Sequence, residues 1–238
     1  MSHLPFKFKQ FTIHQDRCAM KIGTDGVLLG AWASIVNDPN SILDIGTGTG
    51  IVALMMAQRS VAEVIDALEI DDSAYEQATE NFENSSWSDR LFCYHASLQE
   101  FAEELDDRYD LITCNPPFYS EDYKSKNELR DMARFQDAMP FDHLVACVSK
   151  LLALEGKFIV VLPFKEESRF IDLALNANLH ANHILRVRGN TASGLKRCLM
   201  EFSFHENDTE IRELTIETER HEYTKEYIDL TKEFYLNM

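Results

Sequence analysis

The residues best placed to do chemistry are Asn115-Pro116-Pro117-Phe118, at the end of the apolar run Tyr109-Asp110-Leu111-Ile112-Thr113-Cys114. That run predicts a buried strand. Two prolines fix φ and withhold backbone donors, so the strand must stop there. A carboxamide, rigid carbonyls and an aromatic ring are thereby held close together. Such a group is a cradle for a flat nitrogen heterocycle that bears an amino group.

A second set of residues can hold a nucleoside. In Leu43-Asp44-Ile45-Gly46-Thr47-Gly48-Thr49-Gly50, glycines stand where a strand turns into a helix. Missing side chains let backbone approach a ligand, and the helix start offers free N–H groups. A dinucleotide fingerprint needs a third glycine where Ile51 stands. Glu69 closes the next apolar run, at the distance where a carboxylate accepts from ribose hydroxyls. Asp71 and Asp72 are expected to cap the following helix.

These groups must be positioned by a sheet. Strands are predicted at Ser41 to Ile45, Val64 to Glu69, Leu91 to His95, Tyr109 to Cys114, Lys157 to Leu162, Ala181 to Val187 and Cys198 to Phe204. Helices are expected at Val27 to Val36 (with Thr24 or Asp25 as N-cap), from Gly50 to about Arg59, and at Ser73 to about Asn84. Further helices are expected at Leu98 to Leu105, Phe141 to Leu154, Lys165 to Asn176 and Thr224 to Tyr235, with a tail strand at Glu213 to Glu217. Alternation of strand and helix implies a parallel sheet with helices on both faces. A glycine-rich loop joins the sixth and seventh strands, so one of them should run antiparallel. The fold class is α/β, a doubly wound seven-stranded sheet, mostly parallel, with an antiparallel edge hairpin. The glycine loop, Glu69, Ser97 and Asn115 all fall at strand C-termini, where such sheets bind ligands.

Composition narrows the function classes. The chain has 238 residues, 45% hydrophobic and 26% charged, enough for a substantial core. No apolar run approaches the roughly 20 residues that span a bilayer, and the N-terminus lacks a secretory pattern; a cytoplasmic, non-membrane protein is expected. The five cysteines are scattered without a Cys-x-x-Cys pair, and His14, His95, His143 and His221 show no metal-ligand spacing, so reduced thiols and no metal site are expected. A net charge of −17 argues against a simple electrostatic nucleic-acid binder. The charge is uneven, however: His183 to Cys198 holds Arg186, Arg188, Lys196 and Arg197 with no acid, whereas acids outnumber bases beyond Leu199.

The glycine spacing resembles the nucleoside-binding loop of S-adenosylmethionine-dependent methyltransferases. Asn115-Pro116-Pro117-Phe118 resembles the (Asn/Asp/Ser)-Pro-Pro-aromatic motif of amino-methyltransferases. The adenine amino group is a poor nucleophile because its lone pair is delocalised into the ring. Accepting both N–H bonds, on the Asn115 carboxamide oxygen and the Pro116 carbonyl, favours pyramidalisation and frees that pair. Phe118 can stack on an extruded base, a contact worth about 1–3 kcal/mol.

Three N-terminal stretches carry the most specific likeness: Phe8-Lys9-Gln10-Phe11, Asp16-Arg17-Cys18-Ala19-Met20-Lys21, and Gly23-Thr24-Asp25-Gly26-Val27-Leu28-Leu29-Gly30-Ala31-Trp32. They resemble the opening of the bacterial tRNA1(Val) (adenine-N6)-methyltransferases, which modify the adenine beside the anticodon, and the likeness runs to Leu230-Thr231-Lys232-Glu233-Phe234-Tyr235-Leu236. The resemblance implies a Rossmann-like methyltransferase domain over 1–238, with lead-in and helix over 1–36, core over 37–205, and a C-terminal strand and helix over 206–238. It implies S-adenosyl-L-methionine as cofactor and a tRNA substrate. Thr24, Asp25 and Lys21 would border the methionine end of the cofactor, and Gly46, Gly48 and Gly50 its nucleoside. Glu69 would hold the ribose, with Asp44, Thr47 and Ile70 in the same set, and Ser97 stands where relatives often place an Asp for the adenine amino group. Asn115, Pro116, Pro117 and Phe118 would hold the target base. Phosphate contacts are expected from Arg186, Arg188, Lys196, Arg197, Lys7, Lys9, Lys124, Lys126, Arg130 and Arg134. The Asn-Pro-Pro turn is also used by protein-glutamine N5-methyltransferases, because an amide nitrogen presents the same chemical problem; these, or other RNA or DNA amino-methyltransferases with the same Asn-Pro-Pro-Phe motif, are the alternative reading.

Overall fold

A computed structural model of the chain describes residues 4–117 and 139–238. Phe118, Lys124, Lys126, Arg130 and Arg134 lie outside the described residues.

The apolar runs form strands where expected. They are β3 (Ser41–Ile45), β4 (Val64–Glu69), β5 (Leu91–His95), β6 (Tyr109–Cys114), β7 (Leu152–Pro163), β8 (His180–Asn190) and β9 (Arg197–Ser203). The tail adds β10 (Glu210–Glu219) and β11 (Glu222–Tyr223), and the N-terminus forms a small hairpin, β1 (Phe6–Lys7) with β2 (Thr12–Ile13). Among the described residues one nine-stranded sheet runs in the order β11-β10-β8-β9-β7-β6-β3-β4-β5. Strands β3 to β7 are mutually parallel, and β9 lies antiparallel between β7 and β8. The sheet thus extends two strands past the expected seven: β10 joins β8 in parallel, and β11 makes the outermost pair antiparallel.

The helices are α1 (Thr24–Trp32), α2 (Ile51–Arg59), α3 (Asp72–Glu83), α4 (Leu98–Glu104), α5 (Phe141–Leu151), α6 (Glu167–Asn176, after a 3-10 turn at Phe164–Glu166) and α7 (Lys225–Thr231). They cover both faces of the sheet. On one face Val27, Leu28, Leu54, Phe82, Ile159, Tyr227 and Phe234 pack together. On the other are Leu98, Leu144, Val148, Phe158, Phe170 and Phe202. Alternate residues of β7 serve opposite faces, as a doubly covered strand requires.

Three expected boundaries are corrected. Helix α1 begins at Thr24 with Gly23 as N-cap, so Thr24 and Asp25 belong to its first turn. The two glycines inside it are the reason it nests on α2: a Cβ on Gly26 would lie 3.1 Å from Ile51 Cγ2, and one on Gly30 2.6 Å from Met55 Sδ. Helix α5 stops at Leu151 because Leu152 already pairs with Tyr109, and a bulge then carries β7 through Gly156. Helix α7 stops at Thr231, and Tyr235 instead bridges to Phe8 beside the stacked rings of Phe8 and Phe11.

Candidate active site

The chain enters the sheet at β3, moves outward through β4 to β5, then returns to place β6 on the other side of β3. That reversal leaves a crevice at the carboxyl ends of β3 and β6. Ile45 and Cys114 are register partners, so Gly46 and Asn115 leave the sheet side by side.

After β3 the chain turns through Gly46, Gly48 and Gly50, all in the left-handed region at φ 67°, 57° and 80°. A Cβ on Gly50 would strike Phe82 Cε1 at 2.6 Å, whereas one on Gly46 or Gly48 would meet nothing within 4 Å. The loop therefore packs inward at its end and leaves open space along its first two glycines. Its shape is braced from below. Thr47 N–H donates to Leu68 O at 2.9 Å, and Thr47 Oγ1 donates to Asp44 Oδ2 at 2.6 Å. Thr113 Oγ1 donates to the other oxygen of Asp44 at 2.9 Å. Asp44 is buried beneath the loop, and burial pushes its carboxyl up to about 6 against the pull of the two hydroxyls.

Glu69 joins the loop to the end of β4. Its Oε2 accepts from Gly48 N–H at 2.8 Å, and Oε1 accepts from Ile70 and Asp71 N–H at 2.9 and 3.0 Å. Asp71 caps α3 through Ala74 N–H, as expected, and Asp72 faces His95 at 3.2 Å. Ile70, beside Glu69, exposes its apolar side chain. Ser97 caps α4: its Oγ donates to Glu100 Oε2 at 2.7 Å and accepts from Glu100 N–H at 3.2 Å. The Ser97 hydroxyl is thus engaged within its own helix turn.

Asn115 is half-buried and Pro116 buried at the end of β6. A Cβ on Gly26 would lie 3.8 Å from Asn115 Nδ2, so the first turn of α1 adjoins the Asn-Pro-Pro turn. Its N-cap is a glycine, and no side chain among the described residues caps α1, so its N-terminal N–H groups are candidates to meet a ligand. Asp25, in that turn, accepts from Arg197 Nε at 2.7 Å.

The stretch ahead of α1 lies along the glycine loop. His14 N–H donates to Asn81 Oδ1, while Asn81 Nδ2 donates to His14 O and Thr49 O, each at 2.8–2.9 Å. Arg17 N–H donates to Gln77 Oε1 at 3.1 Å, and its guanidinium meets Glu76 and Glu80. Cys18 Sγ donates to Gly48 O at 3.6 Å. The Lys21 ammonium closes this segment on itself by donating to Gln15 O and Cys18 O. Sequence reasoning singled out neither Asn81 nor Gln77. Their signal was nonetheless present, as two amides at i and i+4 on the face of α3 that also carries Ala74, Ala78 and Phe82.

Several expected phosphate contacts are already partnered. Arg186 pairs with buried Glu167 at 2.7 Å and lies over the Phe164 ring. Arg188 meets Glu213, and Lys9 donates to Lys232 O and Met238 O near the chain end. Lys7 and Lys196 are exposed. Among the described residues, no helix is long and apolar enough to cross a membrane. Burial pushes the Cys93 and Cys198 thiols up to about 12, which keeps them protonated.

Comparison with known proteins agrees with this geometry. The "Methyltransferase small domain" family model matches residues 26–180. A tRNA1(Val) (adenine(37)-N6)-methyltransferase of Christiangramia forsetii is 58% identical over 240 residues, covering 100% of both chains. One from Flavobacterium johnsoniae is 61% identical over 98% of this chain and 100% of the relative. Among solved structures, a predicted O-methyltransferase from Agrobacterium tumefaciens superposes with a TM-score of 0.69 at 18% identity, covering 88% of this chain and 96% of that one, which shows a shared fold.

Proposed function

The chain belongs to the methyltransferase small-domain family and to the tRNA1(Val) (adenine(37)-N6)-methyltransferases, and from that premise we propose which residues carry the reaction. The reaction itself is transfer of a methyl group from S-adenosylmethionine to the exocyclic N6 of adenine in tRNA. The bound cofactor supplies an electrophilic methyl on a sulfonium.

The residues present fit that cofactor. Open space over Gly46 and Gly48, where a Cβ would meet nothing, suits a nucleoside laid on backbone. Glu69 is the ribose acceptor, and Ile70 offers apolar contact to the adenine face of the cofactor. Asp44 and Thr47 act from beneath by holding the loop. The uncapped start of α1, with Thr24 and Asp25, offers N–H donors and a carboxylate to the zwitterionic methionine end. Lys21 serves by closing the segment over the loop, and Ser97 by capping α4 at the edge of the crevice.

Asn115 and Pro116 are the acceptors for the N6 amino hydrogens. The single observation that carries this reading is the Ile45–Cys114 register, which sets the glycine loop and Asn115 side by side. The Asn115 carboxamide oxygen and the Pro116 carbonyl draw on the two N–H bonds, so that electron density returns to nitrogen; N6 would take the methyl as the methyl–sulfur bond breaks, leaving S-adenosylhomocysteine, and would then lose one proton to solvent. Pro117 fixes the turn and Phe118 stacks on the base. Lys7 and Lys196, both exposed, rim the phosphate-facing side in this proposal, whereas Arg186, Arg188 and Arg197 are engaged by Glu167, Glu213 and Asp25.

Mass spectrometry of nucleosides tests the whole reading. Bulk tRNA lacking the modification, incubated with the protein and S-adenosylmethionine, should gain N6-methyladenosine. Label arriving in protein glutamine, with none in tRNA, would overturn it.

A further inference from the structure

The Asp25–Arg197 contact joins residues 172 positions apart in the chain. Asp25 lies in the first turn of α1, and Arg197 opens β9 opposite Pro163, the last residue of β7. The bond is short at 2.7 Å, and both side chains are about two-thirds shielded, with exposures of 27% and 35%. Arg197 Nη1 also donates to Lys196 O at 3.1 Å, so the guanidinium is anchored on its own strand.

An aspartate in the first turn of a helix is drawn to its own unpaired N–H groups, which it can cap. Here it does not: Gly23 is the N-cap, and no side chain among the described residues caps α1. Arg197 holds the Asp25 carboxylate by Oδ2 instead. Two consequences follow from that geometry. The N–H groups are not taken up by the Asp25 carboxylate, and that carboxylate is kept beside them. The acid and the base together leave the local charge near zero, which suits a zwitterion better than a simple cation or anion.

We infer that Arg197 is a positioning residue for the methyl donor, holding Asp25 so that the first turn of α1 receives the donor's ammonium and carboxylate groups. This rests on the methyltransferase reading and deepens it. It also separates Arg197 from the phosphate-facing cations, with which its sequence neighbourhood groups it.

Calorimetry with S-adenosylhomocysteine and no RNA tests the inference on the full chain. Arg197→Gln should weaken binding about tenfold, the scale of one lost charged hydrogen bond. Arg197→Lys should recover part of it, since it keeps the charge but loses the planar fork. Combining Arg197→Gln with Asp25→Asn should be no worse than the weaker single variant, because the two residues act as a unit. In steady state the KM for S-adenosylmethionine should rise while kcat at saturating donor changes little. If Arg197→Gln does not fold, Arg197→Lys decides by the same titration. Unchanged affinity for S-adenosylhomocysteine, together with weaker tRNA binding and a smaller salt dependence, would make Arg197 a phosphate contact and overturn the inference. Failure of the unsubstituted protein to bind S-adenosylhomocysteine would instead overturn the methyltransferase reading beneath it.

Discussion

Thr113 donates its hydroxyl to Asp44 across the adjacent ends of β6 and β3, at 2.9 Å. Thr47 donates to the other carboxylate oxygen, so one buried acid ties the glycine loop to the strand that carries Asn115. The buried carboxyl therefore sets the spacing between the glycine loop and the Asn-Pro-Pro turn from beneath them.

Asp44 makes stability depend on pH in an unusual direction. Its carboxyl is raised to about 6 in the fold from 3.8. The folded state binds this proton more tightly than the unfolded one, so stability falls as pH rises from about 4 to 6 and levels off above. Asp44→Asn removes that dependence. Denaturant titrations should show the variant gaining on the natural protein across this window, by at most about 3 kcal/mol. A stability gap between the two that does not vary with pH would exclude a titrating Asp44.

Asn115→Ala should reduce methyl transfer to tRNA by about a hundredfold or more, the scale on which a preset polar group stabilises developing charge. Affinity for S-adenosylhomocysteine should stay unchanged, because the substitution leaves the glycine loop and α1 intact. Transfer measured with labelled donor, beside a binding titration, separates the two effects.

Gly48→Ala and Gly50→Ala should fail differently. Both place a Cβ in the left-handed region, at a cost of about 1–2 kcal/mol. At Gly50 the new methyl also meets Phe82 at 2.6 Å, so the melting temperature should fall further there. At Gly48 it enters the open crevice, so the main loss should be in cofactor binding. Thermal melts and S-adenosylhomocysteine titrations on both variants check the contrast.

Arg186→Ala and Lys196→Ala distinguish a structural cation from an RNA-facing one. Removing Arg186 strands buried Glu167 without its partner and should cost about 2 kcal/mol of stability, discounted because the arginine is still 28% exposed. Removing exposed Lys196 should leave stability unchanged and lower the salt slope of tRNA binding by about 1. Unfolding curves and binding at several salt concentrations supply the readouts.

Much of the fold and site is local and therefore legible in the sequence. The strand β6 is a run of adjacent apolar residues stopped by Pro116 and Pro117, because proline cannot continue a ladder. The loop after β3 needs glycines because three of its residues adopt positive φ. Each of these features is set by neighbours a few residues apart, through backbone sterics and burial. The expected cap at Asp71 follows the same logic, while Asp72 lies inside the helix and Ser97, singled out for a ligand, caps its own helix through Glu100.

What the tertiary structure decided is pairing between distant side chains. A run of cations from Arg186 to Arg197 reads as one basic patch, yet Arg186, Arg188 and Arg197 turn to Glu167, Glu213 and Asp25 respectively. No periodicity encodes those choices, since they arise only when β8, β9 and β10 are paired and α1 and α6 are packed beside them. The start of α1 is the same kind of outcome. Gly26 packs close to Ile51 and Asn115 and Asp25 pairs with Arg197, so Thr24 and Asp25 stand in the helix beside the Asn-Pro-Pro turn. The sequence by itself determined which groups the crevice contains, through local backbone rules; long-range packing decided which of them face each other, because charge and shape complementarity act only between surfaces already brought together.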